Sequence, residues 1–323
     1  MQLKEALAQG IVLLEKSGVD SSRLTTEVLL MHAVRCDRAH LYAHAERQLT
    51  DSEWVHYGRY LNERLQGKPT QYITGHQEFW AMDFLVNPSV LIPRPETELV
   101  VEAALDVARR NFPSGGTCRI ADVGTGSGCI AVALARELPQ AHIYALDQSP
   151  AALETACRNA VKLGVADRIT FLLSDLLHES AGEENAADEA QRGSIVGESE
   201  YGPLPSGRGS VLARWPDDGL RDLHMVVSNP PYVAERDRHT LTREVLEFEP
   251  SEALFAGESG MDAYTKLIPQ AAEALQAHGY LVLELGYDSE EGVRKLLESP
   301  TWDEVRWRHD LAGIVRVVTA RRA

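Results

Sequence analysis

The residues of this 323-residue chain that could do chemistry fall in two stretches. The first is Asp122-Val123-Gly124-Thr125-Gly126-Ser127-Gly128, which follows an apolar run and opens the helical stretch 129–136. Glycines in that setting let a backbone close on a nucleotide-containing cofactor, because side chains would block the approach. The Gly-x-Gly-x-Gly spacing leans towards S-adenosylmethionine and away from the Gly-x-Gly-x-x-Gly of dinucleotide sites. Other nucleotides, or a merely tight turn, would also satisfy it. Asp147 ends the next apolar run, where a carboxylate can accept hydrogen bonds from both hydroxyls of a ribose. Its plainer reading is a cap for the helix after Ser149-Pro150. Asp175, followed by Leu176, ends the third run on the same edge, where it is expected to face the adenine.

The second stretch is Asn229-Pro230-Pro231-Tyr232, which ends the strand-like run Met225-Val226-Val227-Ser228. A planar amide or aniline-like nitrogen is a poor nucleophile because its lone pair is delocalised, and no ordinary base usefully deprotonates it beforehand. Positioning must do the work. The side-chain oxygen of Asn229 and the backbone carbonyl of Pro230 can each accept one N–H of such a target. That turns its lone pair towards a methyl sulfonium and stabilises the charge developing on nitrogen. Asn229 therefore adjoins the cofactor as well as the substrate. Two prolines, Pro230 and Pro231, stiffen the backbone that carries these acceptors, and Tyr232 offers an aromatic wall for a planar group.

Elements able to position these residues can be read around them. Apolar, β-rich runs at 119–123, 143–146, 169–173, 223–227, 280–285, 305–307 and 314–319 alternate with helical stretches. Short apolar strands separated by amphipathic helices imply a mostly parallel sheet covered on both faces. Asp310-Leu311-Ala312-Gly313 is too short for a crossover, so the last two strands are expected to form an antiparallel hairpin. The fold class is α/β, Rossmann-like with seven strands, preceded by a small helical bundle. Residues 1–68 read as that bundle: Leu3, Leu7, Ile11 and Leu14 recur at helical spacing before the stop at Ser17-Gly18. A second helix starts near Asp20-Ser21. A third opens on a capping box, Thr50 with Glu53, ahead of Trp54, Tyr57, Leu61 and Leu65 on one face. Residues 69–95, cut by Gly and Pro around Tyr72-Ile73, Phe84-Leu85-Val86 and Val90-Leu91-Ile92, are expected to be a linker hairpin, and 96–323 the catalytic domain. Within it, 179–222 reads as a long mobile insertion, rich in Gly, Ser, Glu and Asp.

Composition sets bounds. Hydrophobic residues make up 44% of the chain, enough to fill two cores, and the net charge of -16 opposes a partner that is mainly a nucleic acid backbone. Cys36, Cys118, Cys129 and Cys157 form no Cys-x-x-Cys pair, so neither disulfides nor zinc is indicated and a reducing cytoplasm fits. No run approaches the length of a membrane span. His40 and His44 have a metal-ligand spacing but no carboxylate or Cys nearby to complete a set, so no metal is expected.

The chain resembles the release-factor glutamine methyltransferases, the PrmC/HemK family. Besides the two motifs above, the resemblance rests on Gly67-Lys68-Pro69-Thr70-Gln71-Tyr72-Ile73-Thr74-Gly75 with Phe79, and on Val90-Leu91-Ile92-Pro93-Arg94-Pro95-Glu96-Thr97-Glu98. Phe248-Glu249-Pro250 and Leu283-Glu284-Leu285-Gly286 extend it over nearly the whole chain. It implies an N-terminal domain that helps dock a peptide chain release factor, and methylation of the glutamine in that factor's Gly-Gly-Gln loop. It also implies S-adenosylmethionine on Gly124, Thr125, Gly126, Ser127, Gly128 and Asp147, with Asp175 and Leu176 beside it and the glutamine on Asn229 to Tyr232. Leu176 stands where the family often has an aromatic residue, and the 179–222 insertion is atypical. Three rivals remain open. A nucleic acid methyltransferase acting on exocyclic amines would use the same turn, but would normally carry a basic surface. The others are a silent binding protein and a nicotinamide oxidoreductase, the latter opposed by the glycine spacing.

Overall fold

The computed structural model describes residues 1–112, 117–179 and 212–323. They form two compact units, Met1–His76 with Leu241–Phe248, and Gln77–Thr240 with Glu249–Ala323.

The first unit is built from α1 (Leu3–Lys16), α2 (Ser22–Val34), α3 (Arg38–Ala43), α4 (Asp51–Leu65) and α5 (Thr70–Thr74). The capping box holds as expected: Thr50 Oγ1 accepts from the Glu53 amide and Glu53 from the Thr50 amide, satisfying two otherwise orphaned donors. Leu3, Leu14, Leu29, Leu30, Tyr57 and Leu61 make the core. Tyr57 donates to the Ala6 carbonyl, and a Cβ on Gly10 would lie 2.1 Å from the Tyr57 hydroxyl, so only glycine allows this crossing of α1 and α4. Trp54, expected on the same apolar face, is instead 41% exposed. Segment Leu241–Phe248 joins this unit through the Arg64–Glu244 pair and the approach of Phe248 to Gly67. His40 and His44 are exposed and stack on each other.

A hairpin, β1 (His76–Phe79) and β2 (Met82–Leu85), begins at the boundary residue His76 and otherwise lies in the second unit. The turn between them is Trp80-Ala81, both at positive φ. Tyr72-Ile73, expected within that hairpin, lies in α5 instead, which Pro69 starts and left-handed Gly75 ends. The main sheet contains β3 (Cys118–Val123), β4 (Ala141–Asp147), β5 (Ile169–Asp175), β6 (His178–Glu179), β7 (Leu223–Ser228), β8 (Leu275–Glu284), β9 (Trp302–His309) and β10 (Val315–Arg322). Its order is β6-β5-β4-β3-β7-β8-β10-β9. β5, β4, β3, β7 and β8 run parallel, and β10 is antiparallel to both β8 and β9. The seven expected strands are all present, and the two-residue β6 adds an eighth at the edge. Both faces are covered. Ile120, Ile143 and Val227 pack on one side with α6 (Glu98–Asn111), α7 (Cys129–Glu137) and α8 (Pro150–Lys162). Ala121, Val123 and Val226 pack on the other with the helices Asp262–Ala274 and Glu290–Leu297. Of the expected insertion at 179–222, residues 180–211 lie outside the described residues.

The chain runs outward from β3 to β5 and then returns to β7 on the other side of β3. The order therefore reverses between β3 and β7, and in open α/β sheets ligands bind outside the strand ends at such a switch point.

Candidate active site

Both motifs meet at this switch point. Val123 of β3 is level with Leu146 of β4 and with Ser228 of β7, so the glycine loop, Asp147 and Asn229 leave the sheet side by side. The Ser228 hydroxyl donates to the Val123 carbonyl at 2.6 Å and locks the two strand ends together. In front of them lies a cavity of about 820 Å³ within the second unit. Gly124, Thr125, Gly126, Ser127, Asp147, Asp175, Leu176, Asn229 and Pro231 all line it.

The loop is held by its own backbone and by two carboxylates, half-buried Asp147 and buried Asp122. The amides of Gly124 and Thr125 both donate to the Leu146 carbonyl at 2.8 Å, and the Gly126 amide donates to Asp147 Oδ2 at 2.9 Å. Asp147 Oδ1 accepts from the Ser149 amide at 2.9 Å, so Asp147, which lines the cavity, braces the loop and the start of α8 together. Burial raises its pKa, against the pull of these backbone donors. Asp122 is fully buried. Its Oδ2 accepts from the Thr125 hydroxyl at 2.7 Å and from the Ala131 amide at 3.0 Å, and burial pushes the carboxyl up to about 7. A Cβ on Gly124 would meet nothing within 4 Å, which leaves open space over the loop. Gly128 is different: it sits at φ 79°, and its Cβ would come within 3.0 Å of Ala156 Cβ. It serves close packing of α7 on α8 and does not line the cavity.

Asn229 Nδ2 donates to Thr97 Oγ1 at 3.1 Å, leaving Oδ1 as the acceptor of a residue that faces the cavity. Pro230 is buried, and neither it nor Tyr232 lines the cavity. Tyr232 packs against the core between the sheet and the helix Asp262–Ala274, and its hydroxyl donates to Glu284 Oε1 at 3.4 Å. The ring expected as an aromatic wall for a planar group thus also props the turn. The reason is a close fit: a Cβ on Gly286 would lie 2.7 Å from Tyr232 Cδ2, so the ring occupies the space over that glycine. Residues after the turn are pinned in turn, with the Val233 amide donating to the Leu254 carbonyl and the Ala256 amide to the Val233 carbonyl.

Of Arg94, Glu96 and Glu98, Arg94 lines the cavity. Arg94 pairs with buried Glu249 at 2.5 Å, and Glu98 accepts from the Trp80 amide at 2.8 Å. Among the described residues no group of His, Cys, Asp and Glu could hold a metal ion, and no helix is long and apolar enough to cross a membrane.

Comparison with known proteins agrees with this geometry. Residues 5–75 match the PrmC N-terminal domain and residues 115–189 a methyltransferase domain. The release factor glutamine methyltransferase of Koribacter versatilis is 40% identical, covering 100% of this chain and 99% of that protein. The enzyme of the same name from Moorella thermoacetica is 39% identical over 92% of this chain and 89% of its own length. The chain belongs to the release factor glutamine methyltransferase family. Among solved structures, the catalytic domain of hMettl16 in complex with the MAT2A 3'UTR hairpin 6 aligns at a TM-score of 0.50 and 13% identity over 81% of each chain, a likeness of fold.

Two further residues, Asn159 and Asp122, brace the site. Asn159 of α8 is fully buried and bonds at both ends: Nδ2 donates to the Ser127 carbonyl at 2.8 Å and to the Leu85 carbonyl at 2.9 Å, while Oδ1 accepts from the Leu85 amide at 2.7 Å. It ties the β1–β2 hairpin to the glycine loop. A polar residue in the middle of an amphipathic helix's apolar face was its one signal. Asp122 stood in plain view at the head of the loop, and only its burial marks it as a brace.

Proposed function

We propose that this chain transfers the methyl group of S-adenosylmethionine to the side-chain amide nitrogen of the glutamine in the Gly-Gly-Gln motif of peptide chain release factors. The observation that carries this reading is the side-by-side emergence of the glycine loop, Asp147 and a tethered Asn229 at one cavity. The residues present fit the donor: the loop leaves open space over Gly124, and the cavity offers carboxylates at Asp147 and Asp175 for hydroxyl and amino groups. Bound there, S-adenosylmethionine supplies a methyl group on a positively charged sulfur, an electrophile that needs no activation.

The chain's own residues position the nucleophile. Asn229 Oδ1 accepts one amide hydrogen of the target, which turns its nitrogen towards the methyl and offsets the charge that develops there; the Pro230 carbonyl, at the buried next residue of the turn, is the second acceptor the reading requires. Once the nitrogen is alkylated its proton is strongly acidic and leaves without a dedicated base. Four free cysteines, Cys36, Cys118, Cys129 and Cys157, suit a reducing, cytoplasmic setting.

Asp147→Ala should weaken donor binding by about 1.5–3 kcal/mol, the usual worth of hydrogen bonds to a charged group. Titration calorimetry reads this directly, and unchanged affinity would remove Asp147 from the donor site. For the substrate, mass spectrometry after incubation with labelled donor should find the methyl group on the glutamine of an intact release factor. A short Gly-Gly-Gln peptide should be labelled weakly, because it lacks the remote contacts that position the amide. DNA should take no label, in keeping with the net charge of -16. Label on DNA and none on any release factor would favour the exocyclic-amine rival.

A further inference from the structure

Asn229 can serve an amide substrate only one way round. Its Oδ1 accepts and its Nδ2 donates, so a flipped side chain would set donor against donor at the target nitrogen. In the structure Nδ2 is engaged by Thr97 Oγ1 at 3.1 Å. Thr97 is buried, ends the short turn Pro95–Thr97 and borders the cavity. A hydroxyl alone is ambivalent, because it could equally donate to Asn229 Oδ1.

What removes the ambivalence stands behind it. Glu284, 2% exposed, ends β8 one residue beyond the Leu283 that pairs with Ser228, which brings it level with Asn229. Its Oε1 accepts from the Tyr232 hydroxyl at 3.4 Å, its Oε2 has no hydrogen-bond partner among the described residues, and the nearby Thr97 hydroxyl favours its charged form. A carboxylate only accepts. A hydroxyl beside a buried carboxylate with an unfilled oxygen turns its hydrogen towards it, which leaves the Thr97 lone pairs for Asn229 Nδ2.

We propose that Thr97 and Glu284 are positioning residues, a relay from Asn229 Nδ2–H to Thr97 Oγ1–H to the Glu284 carboxylate that holds the Asn229 oxygen towards the substrate. The proposal rests on the methyl-transfer reading for its catalytic consequence, but the relay itself is a property of the free protein.

The relay depends on the charge of Glu284. Burial pushes its carboxyl up to about 7; Glu96 adds to that, while Thr97, Arg316 and Tyr232 oppose it. Tyr264 and Cys129, also close by, are both raised by burial and stay neutral across this range, and Arg94 lies near Tyr232. When Glu284 is protonated it becomes a donor to Thr97 Oγ1. The Thr97 hydrogen is then free to swing to Asn229 Oδ1 and turn the amide over. Productive orientation is thus complete above the Glu284 pKa and lost as the pH falls through it. Asp122 titrates in the same range behind the glycine loop, so a Glu284 variant is needed to assign the effect.

Two readouts on the full chain test this: the side-chain amide signals of Asn229 by nitrogen-15 NMR in the free protein, and the pH profile of turnover on an intact release factor. In Thr97→Val the Asn229 amide should lose its hydrogen-bonded shift. Its kcat should fall on the order of tenfold or more, with KM for donor and release factor changed less than about twofold. Thr97→Ser should restore both. Glu284→Gln, whose amide can donate to Thr97 Oγ1 as the protonated carboxyl does, should lower kcat at pH 8 towards the wild-type value on the acid side and flatten the acid limb. Unchanged Asn229 signals in Thr97→Val would overturn the relay whatever the substrate is. Wild-type turnover with an unaltered Thr97→Val kcat, or an acid limb that persists in Glu284→Gln, would overturn its catalytic role. If wild type leaves release factors unlabelled while the amide signals respond as stated, the relay stands and the substrate reading falls.

Discussion

Asn229→Ala is expected to lower turnover on an intact release factor by on the order of 10²–10³-fold, the usual cost of removing one preorganised electrostatic group. The side chain lines the cavity, and among the described residues its one hydrogen bond uses Nδ2 and leaves the oxygen unspent. Its loss therefore removes an acceptor that acts mainly on charge appearing in the transition state. Affinity for the donor should change little, since the glycine loop and Asp147 keep their mutual bonds. Single-turnover kinetics separates the two effects. A variant with normal chemistry and weak donor binding would make Asn229 a cofactor ligand and leave the amide-orienting role without support.

Gly260→Ala should be the most damaging change of a single methyl group, although the residue touches no ligand. Gly260 sits at φ 76°, and a Cβ there would lie 2.4 Å from the Tyr232 carbonyl oxygen and 3.2 Å from the Ala234 nitrogen. The left-handed backbone costs an L-residue roughly 1–2 kcal/mol, and overpacking against main chain adds about 1–3 kcal/mol because no side-chain rotamer can give way. Either the protein loses roughly 2–5 kcal/mol of stability or the turn carrying Asn229 to Tyr232 shifts. Urea unfolding and turnover measured together distinguish these outcomes. A variant with wild-type stability and wild-type turnover would show that the loop around Gly260 relaxes freely, and that the turn is not braced from this side.

The central strands were legible because burial on both faces leaves a run such as Met225-Val226-Val227 with no polar alternation to disguise it. Edge strands were legible only in part. The run 305–307 grows to Trp302–His309 in the structure, where charged and aromatic residues alternate and Arg321 pairs with Asp303 across to β10. A half-exposed strand carries its signal in cross-strand partners, which lie elsewhere in the chain. The Trp80-Ala81 turn has neither Gly nor Asn to announce its positive φ values; the Trp80 amide is satisfied instead by Glu98.

By itself the sequence determined the chemistry on offer: three glycines at fixed spacing, a carboxylate ending the next strand, and an amide stiffened by two prolines. These are local patterns, written in consecutive residues, and the alternation of strands and helices sends them to one edge of a sheet. Only the tertiary structure decided how they are held. Ser228 reaches Val123, Asn159 reaches Leu85 and Ser127, and Asn229 reaches Thr97. It also turned Tyr232 away from the cavity and onto Gly286 and Glu284. Such bonds join residues far apart in the chain, and whether a buried polar group has a partner depends on the packing of every element around it.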